Sequence, residues 1–157
     1  MNEKLIENWN NTVEPDAEVW QLGDFSFGNI DKTEAILRRL HGNKNAVLGN
    51  HCQEIIKHRR RLLDEGLFKE IVSYKELRIE GTQVNLFHYA GRTWNKSHHG
   101  AYLLFGHTHN ELPPYGRSVD VGVDSTAILG RAEYRPFSFE EIKSFMDKQE
   151  IIGHHDR

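Results

Sequence analysis

Cysteine is nearly absent from this sequence: Cys52 is the single one in 157 residues. No internal disulfide can form, and a reducing cytoplasm is the natural setting. Long apolar runs are missing as well. No stretch is long enough to span a bilayer, and the opening MNEKLIENWNN carries no apolar core of a signal peptide, so no membrane partner is expected. A basic surplus is also lacking. The formal charge is −3, from 20 Lys and Arg against 23 Asp and Glu, which argues against binding nucleic acid through bulk electrostatics. No internal repeat, low-complexity tract or long linker interrupts the chain. One domain over 1–150 with a short tail at 151–157 is the economical reading. What is plentiful is histidine, at ten residues.

Short apolar runs alternate with helical stretches. Residues 18–22 (EVWQL) read as a buried strand ending at Gly23-Asp24, and 31–40 as a helix with Asp31 and Glu34 as its capping box and Gly42 past its end. A second strand at 45–48 (NAVL) runs straight into Gly49-Asn50-His51, and a basic helix follows over about 53–65. The alternation over 71–79 and 83–88, around Glu80-Gly81, predicts a β-hairpin. Strands are expected at 102–105 and 118–121. Ser138 with Glu141 caps a helix to about 149, and the GHHDR ending reads as loose. The order predicts an α/β fold, βαβ at first and antiparallel later.

Metal-ligand residue types recur where the predicted strands stop: Asp24, Asn50 with His51, His88, and His107 with His109. Strand ends hold loops in one crevice, which is where open α/β folds gather ligands. Carboxylate, amide oxygen and imidazole suit manganese, iron or zinc. Each piece alone has a plainer explanation. Gly-Asp and Gly-Asn-His are common turns, and His88 fits a hydrogen-bonded core histidine. All four in order, each at a strand end, are poorly explained by coincidence.

These pieces, with the surrounding VWQLGDFSFGN, VLGNH, WNKSHHG, LLFGHTH and DVGVD, resemble the calcineurin-like metallophosphoesterases, in particular their small phage and bacterial branch. The likeness runs over about 1–146. It implies an α/β/β/α sandwich of two mixed sheets with helices outside. It also implies that Asp24 bridges two metals, that Asn50, His88 and His107 complete one metal site, and that His109 serves the other. His51 matches the histidine that steadies charge or protonates the leaving oxygen. The family opens with Asp-x-His on its first strand. No such motif precedes Asp24, so that strand is expected to be missing. One site then keeps four protein ligands and the other keeps Asp24 and His109. A sheet short of a strand exposes unpaired backbone, which makes self-association an expectation.

The implied function is metal-dependent hydrolysis of a phosphomonoester or phosphodiester, by in-line attack of a metal-bound hydroxide. One or two ions per chain are expected, manganese first, with iron, zinc and nickel also admitted. The substrate is a phosphoester, a nucleotide or nucleic-acid end among them. The rival reading is a degenerate member that binds metal or ligand without useful catalysis. Other features read more plainly. Cys52 stands where the family usually has an acid and reads as a small buried residue. Lys57 to Arg61 (KHRRR) reads as a solvated helix face. Trp94, His98 and His99 are placed on a loop over the crevice. Asp120 and Asp124 read as turn residues that shape its rim.

Overall fold

The computed structural model describes residues 3–25 and 28–153. The expected loose ending from 154 onward lies outside them, as do Ser26 and Phe27. The chain forms an α/β fold with two sheets, its described residues divided between two compact units: those up to 73 with 134–136, and 74–133 with 137–153.

The first unit contains α1 (Glu3–Thr12), β1 (Glu18–Gln21), α2 (Ile30–Arg39), β2 (Asn43–Val47), α3 (Gln53–Lys57), α4 (Arg59–Asp64) and β3 (Ile71–Val72). Its three strands are parallel and ordered β1-β2-β3, as the βαβ reading predicts, so among the described residues this sheet is not the mixed one that the family resemblance implies. A core of Trp9, Val19, Leu37, Ala46, Ile55, Leu62, Phe68 and Ile71 forms between sheet and helices. Gly42 holds φ at 92°, and a Cβ there would meet Val13 Cγ1 at 2.9 Å, so a side chain would block the turn into β2. The Asp31–Glu34 capping box does not form. Asn29 caps α2 instead, its side chain accepting from the Lys32 amide. Glu34 is only 6% exposed and faces Arg61, with Oε2 2.8 Å from its guanidinium. The single basic helix expected over 53–65 breaks at His58, where φ is −106° and ψ 15°, into α3 and α4.

The second unit contains β4 (Tyr74–Ile79), β5 (Thr82–Phe87), a 3₁₀ turn (Ser97–His99), β6 (Tyr102–Phe105), β7 (Ser118–Asp120) and α5 (Phe139–Met146). The hairpin is present between β4 and β5. Its two-residue loop, Glu80-Gly81, has both φ values positive, at 49° and 80°, as a twist-matched turn requires. It does not include residues 71 and 72, which pair with β2 in the other sheet. The later portion is not antiparallel throughout, because β5, β6 and β7 run parallel to one another. That fits β6, whose four residues are all buried and apolar, as strands covered on both faces are. Ser138 and Glu141 make both bonds of their capping box, and α5 ends at Met146 rather than near 149. Among the described residues no helix is long and apolar enough to cross a membrane.

Candidate functional site

In the first unit, parallel pairing of β1 with β2 brings their C-terminal ends to one edge of the sheet. Asp24 leaves β1 through Gly23, whose φ is 104° and whose amide is held by Gln21 Oε1 at 3.0 Å. Asp24 itself adopts the left-handed conformation, φ 54°. Its Oδ1 accepts the His51 amide at 2.8 Å, tying it to the loop after β2. The Asn50 carbonyl in that loop accepts from Gln53 Nε2 at 2.8 Å. Cys52 sits behind both loops. Its buried Sγ accepts from the Gly49 amide at 3.1 Å and the Asp24 amide at 3.4 Å. Asp24, Asn50 and His51 therefore form one connected patch. Cys52 is buried, as its sequence reading has it, and it also serves as the sulfur acceptor that joins the two loops.

In the second unit, β5 and β6 are parallel neighbours, and the Gly106 amide donates to the His88 carbonyl at 3.1 Å, carrying their alignment past the strands. His88 is completely buried, and its Nε2 lies 3.2 Å from Nδ1 of the exposed His107. Two imidazole nitrogens each about 2.1 Å from one ion stand that far apart at an N–metal–N angle of about 100°, so this spacing suits two ligands of one metal. Without an ion between them the same two nitrogens are within reach of a ring-to-ring hydrogen bond. Tyr89 packs edge-on against both rings, with centroids 4.8 and 4.9 Å away. Nothing in the sequence pattern singled it out.

His107 and His109 both have positive φ, 66° and 47°. Non-glycine residues rarely hold that conformation unless the surroundings enforce it. Asp120 is what enforces it here. Only 2% exposed, it accepts from the Thr108 hydroxyl, from the Asn110 amide at 3.2 Å and from the Gly122 amide at 2.7 Å, pinning the histidine turn to the end of β7. Asp124 Oδ2 lies 3.0 Å from His109 Nδ1. A neutral ring donating from Nδ1 carries its lone pair on Nε2, the tautomer needed to bind a metal through Nε2. A Cβ on Gly122 would come within 2.9 Å of Asp124 Oδ1 and 3.0 Å of Asp120 Oδ1, so a side chain there would push the two carboxylates out of place. Turn chemistry describes Asp120 and Asp124, but their partners are the Thr108–Asn110 turn and His109. The signal was the Asp-x-Gly-x-Asp spacing, which places two carboxylates on either side of one glycine.

Two sequence expectations fall elsewhere. Trp94 is buried and donates from Nε1 to the Ala101 carbonyl at 2.7 Å. His99 and Gly100 precede β6, whereas His107 follows it, so the loop of His98 and His99 belongs to the opposite edge of this sheet.

No protein-family model matches the chain. It is 26% identical over 161 residues to the uncharacterized protein MJ1445 of Methanocaldococcus jannaschii, a span covering 97% of this chain and 78% of that one. A solved structure, the protein of unknown function AQ665 from Aquifex aeolicus, aligns with a TM-score of 0.61 at 23% identity, over 90% of this chain and 82% of the other. That likeness concerns the fold, and it agrees with an α/β architecture.

Proposed function

We propose that this protein is a metal-dependent phosphoester hydrolase, with the two-sheet sandwich and ligand set of the calcineurin-like metallophosphoesterases. The observation that carries the reading is the pair His88 and His107, one wholly buried and the other in a left-handed turn, with ring nitrogens 3.2 Å apart. Carboxylate, amide and imidazole donors are the set that manganese, iron and zinc accept. By the resemblance, Asp24, Asn50, His88 and His107 would hold one ion, with Asp24 and His109 serving a second.

Bound metal in such a set lowers the pKa of water and offsets charge on the attacking and leaving oxygens of a phosphoester. The residues of the chain supply the rest. The His51 amide fixes the orientation of the Asp24 carboxylate. His51 itself, exposed beside that carboxylate, is the group to protonate the leaving oxygen. Asp124 sets the tautomer of His109, and Asp120 holds the turn so that neither histidine has to reorganise.

The test is hydrolysis of bis-p-nitrophenyl phosphate by metal-stripped protein refilled with manganese, beside His107→Ala, with metal counted in the same samples. Turnover that needs manganese and disappears in the variant is the expected result. Metal bound without turnover would instead favour a binding module.

A further inference from the structure

The second unit carries another concave feature, at the edge of its sheet away from His88 and His107. A cavity of about 570 Å³ lies at the start of β5, β6 and β7 and the end of β4, and four of its walls are the cations Arg78, Lys96, Arg117 and Lys143. Five residues of extended chain separate Ala101 in its wall from Gly106, about 16 Å. The volume is that of a pocket for a small organic ligand.

Two of the basic side chains, Arg117 and Lys143, are held in place. Arg117 donates from Nε to the Gln149 carbonyl and from Nη1 to that of Gly100, both at 3.3 Å. Gly100 leaves room for this, since a Cβ there would stand 3.1 Å from Arg117 Nη1. Asp147 accepts from Lys143 Nζ at 2.6 Å and lies 3.7 Å from Arg117. The bond from Lys143, followed by that from the Tyr102 hydroxyl, holds the Asp147 carboxyl below its ordinary range, so it is ionised and cancels one of the cations. Arg78 is exposed and makes no ion pair among the described residues. Glu76 lies within electrostatic range of Lys96, and its own bonds go to Tyr74, Gln83 and Asn95. Lys96 also holds a left-handed backbone, φ 58°, fixed by amides of His99 and Ala101 that donate to its carbonyl at 2.9 and 3.1 Å. A chain with a net charge of −3 thus concentrates a surplus of three positive charges around one cavity, with one cation on a strained turn.

We propose that this cavity is a binding site for a diphosphate group, either as inorganic pyrophosphate or as part of a nucleoside diphosphate. Planar guanidinium groups and a lysine ammonium spaced around a pocket match several phosphate oxygens at once. The site is separate from the metal-ligand histidines and stands whether or not the hydrolase reading does.

Titration calorimetry on the full-length, metal-stripped protein tests it, with pyrophosphate and ADP as probes. Binding of at least one probe is expected, weakened about fivefold by Arg78→Gln and by Lys143→Gln and left unchanged by His107→Ala. Tighter binding of ADP assigns the site to a nucleotide, and tighter pyrophosphate binding to the inorganic ion. Arg78 is exposed, so its variant keeps the fold, which circular dichroism checks. The proposal is overturned if neither probe binds at about 10 mM, if both basic-residue variants bind as wild type does, or if His107→Ala abolishes binding.

Discussion

Cys52 offers the sharpest connection between stability and the candidate site. Its sulfur takes two backbone amides, from Gly49 at 3.1 Å and Asp24 at 3.4 Å, and so fixes the loops that carry Asp24, Asn50 and His51. Cys52→Ala leaves both donors without an acceptor, at about 1 kcal/mol each for partly buried groups. Loss of one buried heavy atom adds about 1 kcal/mol, giving a total of about 3 kcal/mol. Cys52→Val restores the volume but no acceptor, and should cost about 2 kcal/mol. Cys52→Ser restores an acceptor on a shorter bond, at about 1 kcal/mol. Urea unfolding followed by circular dichroism should therefore rank wild type, Ser, Val, Ala in falling order. A packing role alone predicts that Val matches wild type and Ser does worse, and that ranking would refute the argument. Manganese-dependent turnover should follow the same order, falling about tenfold in Val, because loops that orient ligands affect metal affinity on that scale.

Asp124→Asn should lower turnover about tenfold or more while leaving urea stability within about 0.5 kcal/mol, since it perturbs the orientation and tautomer of His109 at the surface. An unchanged rate and metal count would sink the role given to that carboxylate. Arg61→Ala removes the partner of Glu34, whose second oxygen is buried without a hydrogen bond, and should destabilise the first unit by about 2 kcal/mol. Arg61 is itself about half exposed, which keeps the cost below that of a fully buried pair. Adding Glu34→Gln should recover part of it, and a double-mutant cycle with no coupling would contradict the pairing. Asp147 has a lowered folded pKa, so the stability it contributes is complete above its ordinary value of 3.8 and is lost as pH falls through the lower, folded one. Acid unfolding of Asp147→Asn should lack that component, and superimposable pH profiles would disprove it.

Much of the fold was legible because local patterns and tertiary partners agreed. β1, β2 and β6 end two or three residues before Asp24, Asn50 and His107, and the Glu80-Gly81 hairpin and Ser138 cap are signals confined to a few neighbouring positions. The failures occur where a distant partner decided the outcome. Ile71 and Val72 continue the alternation of β4, yet they pair with Ala46 and Val47, more than twenty residues earlier. Asp31 and Glu34 have the spacing of a capping box, but Glu34 is drawn to Arg61 and Asn29 takes the cap. No proline or glycine marks the break at His58. At the candidate site, the ligand-type residues could be read one by one. Asp120 and Asp124 could be read as rim turn residues, but not as the carboxylates that hold the histidine turn, because that role depends on β6 and β7 lying side by side.

Asp24, His107 and His109 share a backbone conformation that glycine would adopt without strain. Each costs the folded chain about 1 kcal/mol or more relative to an unstrained residue. Selection for heat resistance alone would therefore favour glycine at these three positions and erase the residues proposed to bind metal. Lineages that retain Asp and His there resist that drift only if the side chains earn their place in function. A thermal screen alone would admit glycine at Glu80 and Tyr134 as readily as at these three, so the positions that refuse it only when function is also selected mark the working site.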